Sequence, residues 1–172
     1  MEEFLSFILR WPIVEDYFIA YPWAWPLNEI LHFIGLILLI GIVGMYDLRL
    51  MGVAREIPVA ALQRLMPWAI FGFALTIFTG LLFTTGIYAN LEIDPYTVLI
   101  NDGYLQLKLI FLFLAGLNLL AFNVSGASRS VEILGPGEDA SGKAKIFAGA
   151  SLFLWITVMY FGRLVPWGQL SS

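Results

Sequence analysis

The stretch Glu29-Ile30-Leu31-His32-Phe33-Ile34-Gly35-Leu36-Ile37-Leu38-Leu39-Ile40-Gly41, EILHFIGLILLIG, decides the fold of this chain. After His32 no charged residue appears until Asp47, so with its flanks the run approaches the roughly 20 apolar residues needed to cross a bilayer core. The histidine that opens it is the only one in 172 residues. The rest of the chain agrees with this stretch. Sixty per cent of residues are hydrophobic, 13% are charged, and mean hydropathy is +0.84. A soluble domain carries about 25% charged residues, so the composition reads as an integral membrane protein.

Four segments have the length and polarity of spans: about 28–46, 67–87, 104–124 and 146–165. The expected fold is all-α, a four-transmembrane-helix bundle (28–172) preceded by an amphipathic interfacial segment (1–27). That first segment mixes Phe4, Phe7, Ile8, Trp11, Tyr17, Phe18, Tyr21, Trp23 and Trp25 with Glu2, Glu3, Arg10, Glu15 and Asp16. Aromatic amphipathic segments of this kind lie in the headgroup layer, and YPWAWP (21–26) reads as the corner into the first span. Glu2 and Glu3 stand where a signal peptide wants positive charge, so the segment reads as retained.

Orientation follows from the linkers. Linkers 47–66 and 125–145 hold six of the nine Lys and Arg residues, whereas 88–102 holds Glu92, Asp94 and Asp102 and no base. Basic loops stay cytoplasmic. Both termini and the second linker are therefore expected outside, on the periplasmic face of a bacterial inner membrane. Absent cysteines exclude disulfides, thiolate metal sites and covalently attached haem, and one histidine excludes a multi-histidine zinc site within one chain. No Walker loop, zinc-hydrolase motif, nucleophile elbow or Rossmann fingerprint is present, and no nucleic-acid partner is expected.

Ionisable groups within a span cost roughly 2.5–3.5 kcal/mol on insertion scales and are functional hypotheses by default. Asp47, Arg49 and Arg64 read as anchors at inner helix ends. His32, Lys108 and Arg163 ask for more. His32 and Lys108 each lie four residues into a helix entering from outside, about 6 Å below its end. Arg163 reaches that layer from the exit of the fourth span, with Met159 one turn deeper on its face. The structural alternative is a packing histidine held by Glu29, with Lys108 and Arg163 snorkelling outward. The functional reading makes His32 an axial ligand to haem b, since imidazole is a common haem ligand and metal takes its neutral form. Gly35, Gly41 and Gly44 thin one side of the first span, as a flat cofactor or a neighbouring helix requires. Thr76, Thr79, Thr84 and Thr85 are expected to bond back to their own helix, and Asn118 and Asn123 to serve packing.

Several phrases carry a resemblance. YPWAWPLNEILHFIGLILLIGIVGMYDLRLMG (21–52), MPWAIFGFALTIFTGLLF (66–83), GYLQLKLIFLFLAGLNLLAFN (103–123) and WITVMYFGRL (155–164) resemble an uncharacterised family of small four-helix bacterial inner-membrane proteins. More distantly the pattern is similar to HemJ-type protoporphyrinogen oxidase and to copper-resistance D-type membrane domains. The HemJ resemblance places His32, Gly41, Arg49 and Lys108 on that family's first-helix histidine, small residue, arginine and third-helix lysine. It implies b-type haem on His32 with Lys108 as an essential companion. Gln106 and Asn123 stand where related chains have histidine, so a second axial ligand falls to Met159, Lys108, water or another subunit.

Two functions follow from different classes. One is an inner-membrane b-type cytochrome exchanging electrons with quinone or a partner subunit, Lys108 and Arg163 pairing with propionates or a quinone carbonyl. The other is a cofactor-free accessory or scaffold subunit of a larger complex; porphyrinogen oxidation is a third, resting on resemblance. The bilayer is the expected surrounding, and a homo-oligomer or a membrane complex the expected assembly.

Overall fold

The structure is a computed structural model that describes residues 9–87, 89 and 92–168. Every regular element among the described residues is helical. The elements are α1 (Pro12–Ala20), α2 (Ala24–Met51), α3 (Val59–Gln63), α4 (Met66–Thr85), α5 (Pro95–Asn101), α6 (Gly103–Val124), α7 (Ala127–Glu132) and α8 (Gly142–Gly168). Four helices are long and apolar enough to cross a membrane: α2, α4 with α3 as its lead-in, α6 and α8.

The helix bounds follow local chemistry. α2 is longer than the expected 28–46 at both ends. Pro26 falls in its first turn, where no intrahelical N–H is required, so the helix begins at Ala24 and the expected corner shortens to 21–23. At the other end Gly52 takes a left-handed conformation, φ 94°, and its N–H and that of Val53 bond to Arg49 and Leu48 carbonyls. This is a glycine C-cap. Pro67 opens α4 in the same permissive first turn. Asp102 caps α6, accepting from the N–H groups of Tyr104 and Leu105 at 2.9 and 3.0 Å. α8 starts four residues before the expected 146, with the Ser141 hydroxyl accepting from Ala144 N–H. The linkers read as loops contain the short helices α3, α5 and α7, of which α5 is capped by Asp94, accepting from Tyr96 N–H at 2.8 Å.

α2 packs along α4 and α6 packs along α8, and these two hairpins meet through α2 and α8. Arg49, expected at the headgroups, is instead fully buried. Its guanidinium donates to the Ile57 and Gly135 carbonyls, the latter at 2.8 Å, so it ties the first linker to the third. A packed cluster of Leu50, Val59, Val131, Ala140, Ala144 and Ala148 surrounds this clamp. At the opposite end α1 rests on α2 and α4. Phe18 lies over Gly86, where a side chain would collide with its ring. Glu15 turns inward to an ion pair with Arg10 at 2.8 Å, leaving Ile13 and Ile19 on the free side. Residues 1–8 of the expected interfacial segment lie outside the described residues.

Candidate functional site

α2 and α4 touch backbone to backbone at Gly35 and Gly72. A Cβ on Gly35 would stand 2.8 Å from the Gly72 carbonyl, and one on Gly72 would stand 2.7 Å from the Gly35 carbonyl. Small residues at such crossings are how helices approach in lipid. Helical spacing then stacks His32 and Asn28 one and two turns toward the α1 end, each facing α4.

His32 meets Thr79. Its Nδ1 lies 2.8 Å from Thr79 Oγ1, and that hydroxyl lies 2.7 Å from the Leu75 carbonyl of its own helix. Asn28 Nδ2 donates to the Thr79 carbonyl at 3.1 Å, and Asn28 is buried with Oδ1 unpaired. Phe83 packs edge-on to the imidazole at 5.5 Å. Beyond it Trp25 and Phe18 continue a row of rings at 5.1 and 5.3 Å, linking the site to α1. Glu29, the sequence's candidate partner for His32, is exposed and makes no hydrogen bond to it.

Lys108 approaches from α6. Its stem lies against Gly162 of α8, with Nζ 3.5 Å from where that residue's Cβ would stand. Among the described residues neither His32 Nε2 nor Lys108 Nζ has a hydrogen-bond partner, and no carboxylate forms an ion pair with Lys108. Both residues are half-buried rather than sealed.

The other expected members divide. Arg163 and Met159 are exposed on α8 and share no hydrogen bond, ion pair or ring contact with His32. Gly35 is filled by the α4 crossing, so it offers no slot, and a Cβ on Gly41 would meet nothing within 4 Å. The small residue beside the imidazole is Gly80, whose Cβ position is 3.7 Å from His32 Cε1. Gln106 donates to the Ile100 carbonyl at the end of α5, and Asn123 to its own helix at Leu119. Asn118 crosses to the Phe147 carbonyl of α8 at 3.1 Å. Thr76, Thr79, Thr84 and Thr85 all bond to carbonyls four residues back. Sequence reading missed Asn28, Thr79, Gly80 and Gly162 as site members. The signal available for the first was its i, i+4 spacing to His32; Thr79 and the glycines had none, since their roles exist only across a helix pair.

The donor set fits a haem in part. His32 Nε2 is unbonded and would suit a haem iron, and Lys108 is a cation without a partner among the described residues that would suit a propionate, while Gly35 is filled by the α4 crossing and Gly41 borders open space. No group of three or more histidine or carboxylate side chains gathers for a bare metal ion among the described residues. No protein-family model, curated protein or solved structure matches the chain.

Proposed function

We propose that this chain is a multi-pass protein of a bacterial inner membrane that holds b-type haem through His32 and exchanges electrons with quinone or a partner subunit. The observation that carries the reading is that two polar groups of an apolar bundle, His32 Nε2 and Lys108 Nζ, are unbonded among the described residues. An unpaired cation in that setting is expensive, and a neutral imidazole nitrogen is able to ligate metal. A bound haem would supply one-electron chemistry at iron. The chain's own residues would hold it: His32 would supply a ligating nitrogen and Lys108 would balance a propionate.

Periplasmic termini are part of the same proposal. Support comes from the Arg49 clamp, which gathers the two basic linkers at one end of the bundle, and basic linkers belong inside. A second copy or partner subunit would supply the second axial ligand, because Met159 shares no bond with His32.

A reduced-minus-oxidised absorbance spectrum of detergent-purified protein, expressed with ample haem, tests the reading. A Soret band lost in His32→Ala is expected. A colourless wild-type preparation overturns it and favours the cofactor-free accessory subunit, for which the Thr79 bond and Phe83 contact already give His32 a packing role.

A further inference from the structure

We propose that Thr79 is a positioning residue that locks His32 in the Nδ1–H tautomer, so that Nε2 presents a lone pair to a metal centre. The nature of that centre rests on the haem reading; the lock does not. A hydroxyl has one hydrogen and two lone pairs. Thr79 Oγ1 is 2.7 Å from the Leu75 carbonyl and 3.2 Å from the Thr76 carbonyl, and carbonyls only accept. The hydroxyl hydrogen is therefore committed to its own helix, as back-bonded threonines are. The same oxygen is 2.8 Å from His32 Nδ1. Were Nδ1 the bare nitrogen, the hydroxyl would have to turn toward it and leave Oγ1 facing the Leu75 carbonyl at 2.7 Å with no hydrogen between. The arrangement in which every contact is bonded has Nδ1–H donating to Thr79, with the Thr76 carbonyl a further acceptor beside it. Nε2 then carries the lone pair.

The surroundings hold this geometry. The Gly35–Gly72 crossing fixes the distance between α2 and α4 one turn below, and the Asn28 bond to the Thr79 carbonyl fixes it one turn above. Phe83 stands at 71° to the ring, and a ring flip would put a carbon against Thr79 Oγ1. Ligand histidines are commonly oriented by a bond from their other nitrogen. Here the acceptor is a neutral hydroxyl, which draws less on the N–H than a carboxylate does and leaves the imidazole the weaker electron donor.

The single histidine makes the test direct. Full-length chain, purified without haem and labelled with 15N-histidine, gives one pair of ring nitrogens by solid-state NMR at neutral pH. The expected result is a pyrrole-type Nδ1 and a pyridine-type Nε2, kept in Thr79→Ser and lost in Thr79→Val. A protonated Nε2 in wild type, or an unchanged tautomer in Thr79→Val, overturns the lock; the wild-type and serine measurements decide it even where the valine variant fails to fold. With haem added, Thr79→Val should bind about 10–100-fold more weakly. A wild type with the Nδ1–H signature and no Soret band keeps the lock and removes haem as its purpose.

Discussion

Two identical substitutions six residues apart on α2 should have opposite effects. Gly35→Ala places a methyl 2.5 Å from Thr76 Oγ1, 2.8 Å from the Gly72 carbonyl and 3.1 Å from Thr76 N. Two of those obstacles are backbone, so the helices must separate rather than a side chain turn. Overpacking costs about 1–3 kcal/mol, and backbone obstruction argues for the upper end. Alanine returns about 1 kcal/mol of helix propensity, leaving a net loss of about 2 kcal/mol. Gly41→Ala meets nothing within 4 Å and keeps that propensity gain, about 1 kcal/mol of stabilisation. The gap between the variants is thus about 3 kcal/mol. Reversible unfolding in mixed micelles of rising denaturing-detergent fraction measures it. Gly35→Ala and Gly72→Ala together should lose less than the sum of the two, because one separation relieves both contacts. Equal stability of Gly35→Ala and Gly41→Ala would refute the crossing and, with it, the fixed His32–Thr79 distance.

Arg49→Ala should lose about 3 kcal/mol, two charge-assisted bonds at about 1.5 kcal/mol or more each. Arg49→Lys should recover little, because a single ammonium cannot reproduce the fork; proteolysis near Gly135 that is no faster in either variant would contradict the clamp. Phe18→Ala should release α1 at a cost of about 3 kcal/mol, read as increased mobility of a spin label at Ile13, and unchanged mobility would deny the docking. In the third linker Asp139 accepts from Lys145 at 2.6 Å with Arg55 at 3.6 Å, which holds its carboxyl below the ordinary 3.8. A lowered folded value means that the tether is fully present above the ordinary value and is lost as pH falls through the lower one. Protection of 135–145 against hydrogen exchange, taken relative to the intrinsic rate at each pH, should therefore fall only below about pH 4, and loss of protection at neutral pH would contradict the pairing.

The spans were legible because lipid imposes one rule on all of them: backbone groups must be satisfied within the segment. Asn28–Tyr46 was read as the first span and lies wholly within α2. The extra turns were hidden because Pro26 breaks a helix interior but not a first turn, and hydropathy does not distinguish the two. Arg49 was misread for a related reason. A charge next to a linker resembles an anchor until the chain folds and brings Gly135 back to it, 86 residues away. The site was half legible. His32 and Lys108 declared themselves as charges out of place, while Gly35 and Gly41 looked equivalent on one helix and differ only because α4 crosses at the first. Thr79 could not be singled out among the four threonines of α4 until α2 was laid beside it.

Unsatisfied groups do not all point to function, and burial separates the kinds. Asn28 Oδ1, Asp47 Oδ2, Arg49 Nη1 and Asp102 Oδ2 are unpaired and sealed from the surface. Each belongs to a side chain with a structural contact elsewhere: Asn28 bonds to Thr79, Asp102 caps α6, Arg49 bridges the linkers, and Asp47 faces Ser151 of α8. An orphan of that kind costs about 1–3 kcal/mol and is tolerated because the rest of the group holds the fold. His32 and Lys108 are different. Each is a half-buried residue with a nitrogen that is unbonded among the described residues, and among those residues Lys108 makes no hydrogen bond or ion pair. Gly162 lies at ordinary contact distance from the Lys108 stem and amine, and nothing among the described residues accepts from that amine. On the proposed reading, the partner that this lysine lacks among the described residues is a ligand carrying negative charge.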